Sequence, residues 1–321
     1  TITEFTKVDL TGGQEIEGAK MQILDQEGKV VEEWVSKKEA HVVYALAPGE
    51  YILHEEQAPT EQGYVRAEDV KFVVEETGDV QKVKMEDDHT KVSISKTDIT
   101  DGKEIEGAKL QILDQDGEVV ESWTTGEEHL IEYLPVGTYT LHEEAAVDGY
   151  IVANDVEFTV EETGEIQKVK MEDERAMGQL VIVKTDTDSK AALEGVEFVL
   201  LEKETGKDGK AVSELLPIGT YENGVFKEPI TYVLKETATL KGYEKTEEEW
   251  EIVFTYQNDK TPVIEVVKEI QNKKIPETPG TVKPGPKTGD DTNWFLPLLA
   301  LGVSAGMVAG LLYYRKRHKK A

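Results

Sequence analysis

Residues 15–26 read EIEGAKMQILDQ, and residues 104–115 read EIEGAKLQILDQ. Two further segments recur at a similar spacing, namely VEETG at residues 74–78 and 160–164 and QKVKMED at residues 81–87 and 167–173. The period of 86 to 89 residues is that of a whole small domain. The repeats therefore predict tandem modules that each form their own core.

A third, more divergent copy begins near Gly178. Its LEGV at residues 193–196 corresponds to IEGA at 16–19, and its LPIGTY at 216–221 matches LPVGTY at 134–139. The sequence thus predicts three modules in a row, over residues 1–89, 90–176 and 177–274.

Each module is predicted to be all-β. Apolar and polar residues alternate in short runs, such as YILHE at 51–55 and VKFVV at 70–74, as they do in strands with one buried face. Turn dipeptides such as Glu27-Gly28 and Pro48-Gly49 separate the runs. Roughly seven short strands in about 90 residues are typical of a β-sandwich. We therefore expect three tandem β-sandwich domains.

The composition excludes several classes of function. The chain has 321 residues, 65 of them acidic and 36 basic, a net charge of −29 and no cysteine. Nucleic-acid binding needs a basic surface, and the only basic cluster is RKRHKK at 315–320. Without cysteine there are no disulfides, zinc–thiolate sites or cysteine nucleophiles.

The C-terminal part differs from the modules. Residues 294–314 contain 21 residues without a formal charge, followed directly by the basic residues of the tail 315–321. This length spans a bilayer, and the basic flank would remain in the cytoplasm with the modules outside. A transmembrane helix is predicted here, with a buried core helix as the alternative. The chain begins at Thr1 without a readable signal peptide, and a ligand-binding region is expected further N-terminal.

A linker rich in Pro and Gly, residues 275–293, precedes this span. It contains the tetrapeptide Pro286-Lys287-Thr288-Gly289. Linker, tetrapeptide, apolar span and basic tail together resemble the cell-wall sorting signal of Gram-positive surface proteins, with Gly285 where that signal usually has Leu. The resemblance implies that a sortase cleaves after Thr288 and joins its carboxyl group to cell-wall peptidoglycan. The expected location is therefore extracellular and anchored to the cell wall.

In every module, three strands are predicted to carry a polar residue at the end of a row of side chains that points inward. In the first module, Lys7 follows Thr3 and Phe5 on one face of a strand, because side chains at i and i+2 share a face. Glu55 likewise ends the row of Tyr51 and Leu53, and Asp87 ends that of Val83 and Met85. The equivalent residues are Lys96, Glu143 and Asp173 in the second module and Lys184, Glu236 and Asn272 in the third.

Burial of these groups has a chemical consequence. Desolvation lowers the pKa of a Lys and raises that of a Glu. A neutral amine beside a carboxyl or carboxamide group can attack it, while the Glu relays protons. The product would be an amide bond between two side chains, with loss of water or ammonia, and it would take the place of a disulfide. The alternative is a buried salt-bridge cluster without a covalent bond.

A wider pattern surrounds these residues. It comprises Lys-x-Asp, then Glu-Gly-Ala or Glu-Gly-Val, then Gly-x-Tyr-x-Leu-x-Glu, then Gly-Tyr, then a terminal Asp or Asn. Over residues 1–274 it resembles the SpaA-like, Cna B-type prealbumin-fold domains of Gram-positive pilins and adhesins. The resemblance implies an intramolecular isopeptide bond from the Lys to the terminal Asp or Asn, promoted by the Glu. A register slip by one residue would instead select the neighbours Glu56, Glu144, Asp88 and Glu174.

Other candidate sites are weaker. Asp25-x-Glu27-Gly28 could be taken for a calcium loop, but it lacks the 12-residue ligand spacing and is more typical of a hairpin turn. Trp34 and Trp123 match between copies and are expected in the core, with a sugar-binding platform as the alternative. His54 and His142 are expected on the solvent face. No metal, cofactor or turnover active site is predicted.

The sequence therefore predicts a structural and adhesive surface protein, either a stalk or a minor pilin-type subunit. A binding module that recognises a host matrix protein or glycan is the first alternative. A single-span membrane protein that is never sorted is the second.

Overall fold

The computed structural model describes residues 1–200 and 203–277. Thr1–Ile275 form one compact unit, and Pro276–Ala321 form a second unit, of which only residues 276 and 277 are described. The sorting motif 286–289, the apolar span 294–314 and the basic tail 315–321 lie outside the described residues. Within the described ranges, no helix is both long enough and apolar enough to cross a membrane.

The first module contains eight strands and a short 3-10 helix at Thr60–Gln62. The strands are β1 (Ile2–Asp9), β2 (Lys20–Leu24), β3 (Val30–Val35), β4 (His41–Tyr44), β5 (Gly49–Gln57), β6 (Tyr64–Val65), β7 (Val70–Val74) and β8 (Val80–His89).

The second module repeats this series. Its strands are β9 (Lys91–Asp98), β10 (Lys109–Leu113), β11 (Val119–Thr124), β12 (His129–Glu132), β13 (Gly137–Ala145), β14 (Tyr150–Ile151), β15 (Val156–Val160) and β16 (Ile166–Arg175).

The third module has additional short strands. They are β17 (Met177–Asp186), β18 (Glu197–Val199), β19 (Lys203–Glu204), β20 (Lys210–Val212), β21 (Leu216–Pro217), β22 (Gly219–Glu222), β23 (Val225–Pro229), β24 (Thr231–Ala238), β25 (Glu249–Val253) and β26 (Val263–Asn272).

Two four-stranded sheets build the first module, in the orders β4-β1-β8-β6 and β3-β2-β5-β7. Alternating side chains on their facing sides form the core, which includes Phe5, Met21, Ile23, Leu53 and Met85. The second module has the same two sheets, β12-β9-β16-β14 and β11-β10-β13-β15. The predicted all-β fold with three tandem sandwiches is therefore confirmed for the described residues.

The first and last strands of each module lie side by side and run parallel. β1 pairs with β8, β9 with β16 and β17 with β26. The remaining strand pairs are antiparallel. The parallel pairing places the two chain ends of a module on one sheet, so a bond between these strands would connect the ends of the module directly.

The third module departs from the repeat through an added hairpin. Leu216-Pro217 does correspond to Leu134-Pro135, because Tyr232 donates a hydrogen bond to the Pro217 carbonyl at 2.8 Å, as Tyr139 does to that of Pro135 at 2.9 Å. Within the segments 216–221 and 134–139, only these two residues correspond in the structure. Tyr232, and not Tyr221, is the counterpart of Tyr139, since β22 and β23 form an inserted hairpin.

Aromatic side chains join the first module to the second. Tyr133 of the second module donates a hydrogen bond to Asp9 of the first at 2.8 Å, and Tyr64 donates to the same oxygen at 3.1 Å. The His89 ring stacks on Tyr133 with 3.9 Å between centroids. Gly63 has a φ of +79° and a Cβ there would overlap the Tyr133 backbone, so this contact requires a glycine.

An arginine and the added hairpin join the second module to the third. The Arg175 guanidinium donates hydrogen bonds to Asp98 at 2.6 Å and to Asp101 at 2.9 Å. It also lies 4.2 Å from the ring centroid of Tyr221 in β22. Tyr221 in turn donates to the Gly149 carbonyl at 2.8 Å.

Candidate functional site

The three predicted lysines are buried on the first strand of each module. Lys7, Lys96 and Lys184 are 4%, 2% and 0% exposed. In β1 buried side chains alternate with more exposed ones from Thr3 to Lys7, because one face of the strand points into the sandwich. The lysines therefore lie on the inward row that the sequence predicted.

Each Glu lies on an inward row directly before a β-bulge. In β5, Glu55 pairs with Met21 and Gln57 with Lys20, so that Glu56 is skipped in the register. The same shift skips Glu144 in β13 and Thr237 in β24. A bulge of this kind redirects side chains locally. Glu55 continues the alternation from Leu53 and is buried completely, whereas Glu56, at the bulge, is exposed.

The terminal acid or amide follows from the parallel register of the first and last strands. Lys7 pairs with Met85, which puts Asp87 two residues further along the same inward row. The corresponding pairs are Lys96 with Met171 and Lys184 with Ile270. Asp87 and Asp173 are 0% exposed and Asn272 is 2% exposed.

The first and second modules contain nearly identical triads. Lys7 Nζ lies 2.9 Å from Glu55 Oε2 and donates a hydrogen bond to Asp87 Oδ1. In the second module Lys96 Nζ lies 2.9 Å from Glu143 Oε2 and donates to Asp173 Oδ1. The backbone N–H of Ala67 also donates to Glu55 Oε2 at 2.7 Å, which fixes the orientation of that carboxyl group.

The third triad contains an amide in place of the Asp. Lys184 Nζ donates to Glu236 Oε2 at 2.9 Å and to Asn272 Oδ1 at 2.6 Å. Asn272 Nδ2 donates to Glu236 Oε1 at 2.6 Å, which closes a ring of three side chains. The Phe198 ring centroid lies 5.9 Å from the Lys184 ammonium.

Burial shifts the proton affinities of these groups. Burial, opposed by the charge of Lys7 and reinforced by Glu55, raises the pKa of Asp87 to about 7. Burial likewise raises the pKa of Asp173 to about 7. In the third module burial lowers the pKa of Lys184, against the hydrogen bond and charge of Glu236, which raise it. Each shift favours the neutral form that the predicted amide-forming reaction would require.

Two buried oxygens in each Asp-containing triad require a proton between them. Among the described residues, no donor reaches Glu55 Oε1 or Asp87 Oδ2, and the same holds for Glu143 Oε1 and Asp173 Oδ2. The two side chains are nevertheless hydrogen-bond neighbours. A proton on the Asp would satisfy both oxygens, which agrees with its raised pKa.

The adjacent acidic residues take no part in the triads. Glu56, Glu144 and Glu174 are exposed. Asp88 instead accepts a hydrogen bond from Lys91 Nζ at 2.7 Å. The register of the strands therefore selects the nine predicted residues, because a shift by one would reverse the direction of every side chain.

The weaker candidates have structural roles. Asp25 Oδ1 accepts hydrogen bonds from the backbone N–H groups of Glu27 and Lys29, both at 2.9 Å, in the turn between β2 and β3. Trp34 packs against the core of the first module and stacks on His41 with 4.2 Å between centroids. Over the described ranges, no group of three or more His, Cys, Asp or Glu side chains could hold a metal ion.

The sequence prediction missed one polar contact of the third triad. Asn272 Nδ2 also donates a hydrogen bond to Thr239 Oγ1 at 2.7 Å. Thr239 lies three residues after Glu236, where the other modules have Ala58 and Ala146. The change from Ala to Thr coincides with the change from Asp to Asn, and this covariation between copies was visible in the sequence.

Comparison with known proteins identifies the modules. The SpaA prealbumin-like fold domain matches residues 1–89, 90–175 and 178–270. No curated protein matches the chain.

Solved structures give a similar result. The Bacillus anthracis TIE protein is 26% identical, with a TM-score of 0.55 over 85% of this chain, which spans about half (51%) of that structure. The major pilin subunit BcpA of Bacillus cereus is 15% identical, with a TM-score of 0.46, and the match covers 85% of this chain and 99% of that one. Since the family matches take in most of the chain in three consecutive copies, the chain belongs to the SpaA family of prealbumin-like fold domains.

Proposed function

We propose that this chain is a structural protein of the Gram-positive cell surface whose three modules each form one intramolecular isopeptide bond. The bonds would join Lys7 to Asp87, Lys96 to Asp173 and Lys184 to Asn272. One observation carries the proposal, namely that a buried Lys contacts both a buried Glu and a buried Asp or Asn in all three modules.

The reaction needs no external reagent. In the first module the neutral Lys7 amine attacks Cγ of the protonated Asp87, the new C–N bond forms, and the C–O bond to Oδ2 breaks. Glu55 accepts a proton from the nitrogen and returns it to the departing oxygen, so that one water leaves. In the third module the C–N bond to Nδ2 of Asn272 breaks in the same way, and one ammonia leaves.

These bonds would form once for each protein molecule, so the modules are not turnover enzymes. Each bond would close a loop of 77 to 88 residues. Loops of this size are worth roughly 4–5 kcal/mol when closed by a cross-link, on the chain-entropy treatment used for disulfides. Because the first and last strands are adjacent, a pulling force would pass through the bond and leave the strands in between unloaded.

Anchoring to the wall is the second part of the proposal. It rests on the order of linker, Pro286-Lys287-Thr288-Gly289, apolar span and basic tail in the sequence. A sortase would transfer the Thr288 carboxyl group to a peptidoglycan amine. Release of the protein by a muralytic enzyme, and retention of a Thr288→Ala variant in the membrane fraction, would support this step. An unchanged membrane location of both forms would contradict it.

The intact mass of folded residues 1–277 tests the cross-links. Two water losses and one ammonia loss lower the mass by about 53 Da in total. A deficit of about 17 Da would restrict the reaction to the third module. A mass equal to that of the sequence would show that the triads are salt bridges, and the proposal would then fail.

A further inference from the structure

The triad of the third module has one hydrogen-bond partner outside the triad that has no counterpart in the other two. Both N–H bonds of the Asn272 carboxamide are used, one toward Glu236 Oε1 at 2.6 Å and one toward Thr239 Oγ1 at 2.7 Å. The carboxamide oxygen faces the Lys184 amine at 2.6 Å. The amide is therefore held with its nitrogen away from the nucleophile and its oxygen toward it.

Thr239 occupies a position that the fold defines in all three modules. In each module this position lies three residues after the triad Glu. The first residue after the Glu is skipped at the bulge, and the second pairs with the neighbouring strand. The first two modules have Ala58 and Ala146 there. Their side chains consist of a methyl group and form no hydrogen bonds.

The number of hydrogen atoms on the leaving group explains why Thr occurs together with Asn and Ala together with Asp. A protonated carboxyl group carries one hydrogen on its leaving oxygen, and the Glu of the triad can accept it. A carboxamide carries two hydrogens on its leaving nitrogen, so it needs a second buried acceptor. Thr239 supplies that acceptor in the module with Asn272, and the modules with Asp87 and Asp173 have no such requirement.

We propose that Thr239 is the positioning residue that allows a carboxamide to serve as the electrophile in the third module, whereas Ala58 and Ala146 suit modules with a carboxyl electrophile. This inference rests on the proposed isopeptide bonds. The hydroxyl oxygen holds Nδ2 beside Glu236, from which the departing nitrogen takes its proton. Nζ of Lys184 attacks Cγ and gives one proton to Glu236, the Cγ–Nδ2 bond breaks, and ammonia leaves with its own two hydrogens and the proton returned by Glu236.

A time course on the full chain tests the proposal. The chain is synthesised in a cell-free system with detergent micelles, samples are quenched with acid, and the cross-linked and linear peptides that contain Lys184 and Asn272 are quantified by mass spectrometry. Thr239→Val keeps the shape but removes the acceptor, whereas Thr239→Ser keeps the hydroxyl. The cross-links of the first two modules serve as internal controls in the same samples.

We expect Thr239→Val to slow cross-linking in the third module roughly three- to tenfold, which is the range for loss of one neutral hydrogen bond. Thr239→Ser should stay within about twofold of the original rate. If the original chain reacts and Thr239→Val reacts equally fast, this inference is wrong and the proposed function stands. If the original chain forms no bond between Lys184 and Asn272, both are wrong for this module.

A transfer experiment separates positioning from general stability. In the second module Asp173→Asn alone presents a carboxamide without a second acceptor, and the added change Ala146→Thr restores one. Ala146 is only half-buried, so the larger side chain can be accommodated. We expect the double variant to cross-link three- to tenfold faster than Asp173→Asn, with loss of about 17 Da. Equal rates for the two variants would overturn the proposal.

Discussion

Lys184 and Asn272 lie 88 residues apart in the sequence, and the Lys184 amine donates a hydrogen bond to the Asn272 carboxamide oxygen at 2.6 Å. Glu236 contacts both side chains, at 2.9 Å from the amine and 2.6 Å from the amide nitrogen. All three groups are essentially inaccessible to solvent. The proposed nucleophile, electrophile and proton carrier are thus in contact with one another, an arrangement that favours an intramolecular step.

Replacing Glu55 by Ala should abolish the cross-link of the first module. The mass of the variant, after allowance for the substitution, should exceed that of the original chain by about 18 Da, because no water is lost. Glu56→Ala is the matched control, since Glu56 is exposed and skipped in the register of β5. The assignment of Glu55 is wrong if the Glu56 variant loses the bond and the Glu55 variant keeps it.

The two kinds of triad should differ in their pH dependence above about pH 7. Burial raises the pKa of Asp87 to about 7, so above that pH the loss of the protonated carboxyl offsets the gain of neutral amine, and the rate of cross-linking in the first module should level off. Asn272 does not titrate, and burial lowers the pKa of Lys184, so the rate in the third module should continue to rise as the neutral amine becomes more abundant. Peptide-level time courses on either side of about pH 7 measure both rates in one sample. Parallel pH profiles for the two modules would contradict the prediction.

Loss of one bond should make one module extensible under force. In Asp87→Ala the 80 residues between positions 7 and 87 are free to extend, which adds roughly 280 Å of contour length on unfolding. The original chain should show no such step, because force passes through the cross-link between β1 and β8. Single-molecule pulling through the two ends of residues 1–277 measures the step. Asp88→Ala, at the neighbouring position, is the control and should remain inextensible.

The junction between the second and third modules should depend on the guanidinium of Arg175. Lys cannot make the paired contacts with Asp98 and Asp101 while lying flat on Tyr221. We expect Arg175→Lys to weaken the junction by roughly 1–3 kcal/mol and to broaden the distances between spin labels placed on the two modules. Lys168→Ala, at an exposed position on β16, should leave them unchanged. An unaltered distance distribution in the Arg175 variant would show that the β22–β23 hairpin suffices.

Acid should weaken the same junction. Burial would raise the pKa of Asp98, but hydrogen bonds from Tyr150, the Thr100 backbone and Arg175 outweigh it and lower that pKa. A carboxyl whose pKa is lowered by folding contributes stability above its unfolded pKa and loses it as pH falls through the folded value. Spin-label distances between the second and third modules should therefore broaden below about pH 4. The Arg175→Lys variant should broaden at a higher pH than the original chain.

Much of the fold could be predicted from the amino-acid sequence, because the alternation that marks a strand is a local pattern and occurs in three copies. Alternation with period two identified the inward rows of Lys7, Glu55 and Asp87, and three copies of the pattern gave the number of modules. The Gly-Tyr motif was also visible, but its role was not. Tyr64 and Tyr150 donate hydrogen bonds to Asp9 and Asp98 near the module junctions, and nothing in the local pattern indicates a partner more than 50 residues away.

Three features were decided only by the tertiary structure. The β-bulge after Glu55, which skips Glu56 and allows Ala58 to be buried three residues after Glu55, depends on the pairing of β5 with β2. The insertion of β22 and β23 separates Tyr221 from its apparent counterpart Tyr139 and moves it to the junction.

The contact of Thr239 with Asn272 joins residues 33 apart. The sequence by itself determined which residue types lie on the inward faces, because burial follows periodicity. Which of those residues meet depended on strand register and packing between distant segments, since contacts of this kind are made by the folded chain as a whole.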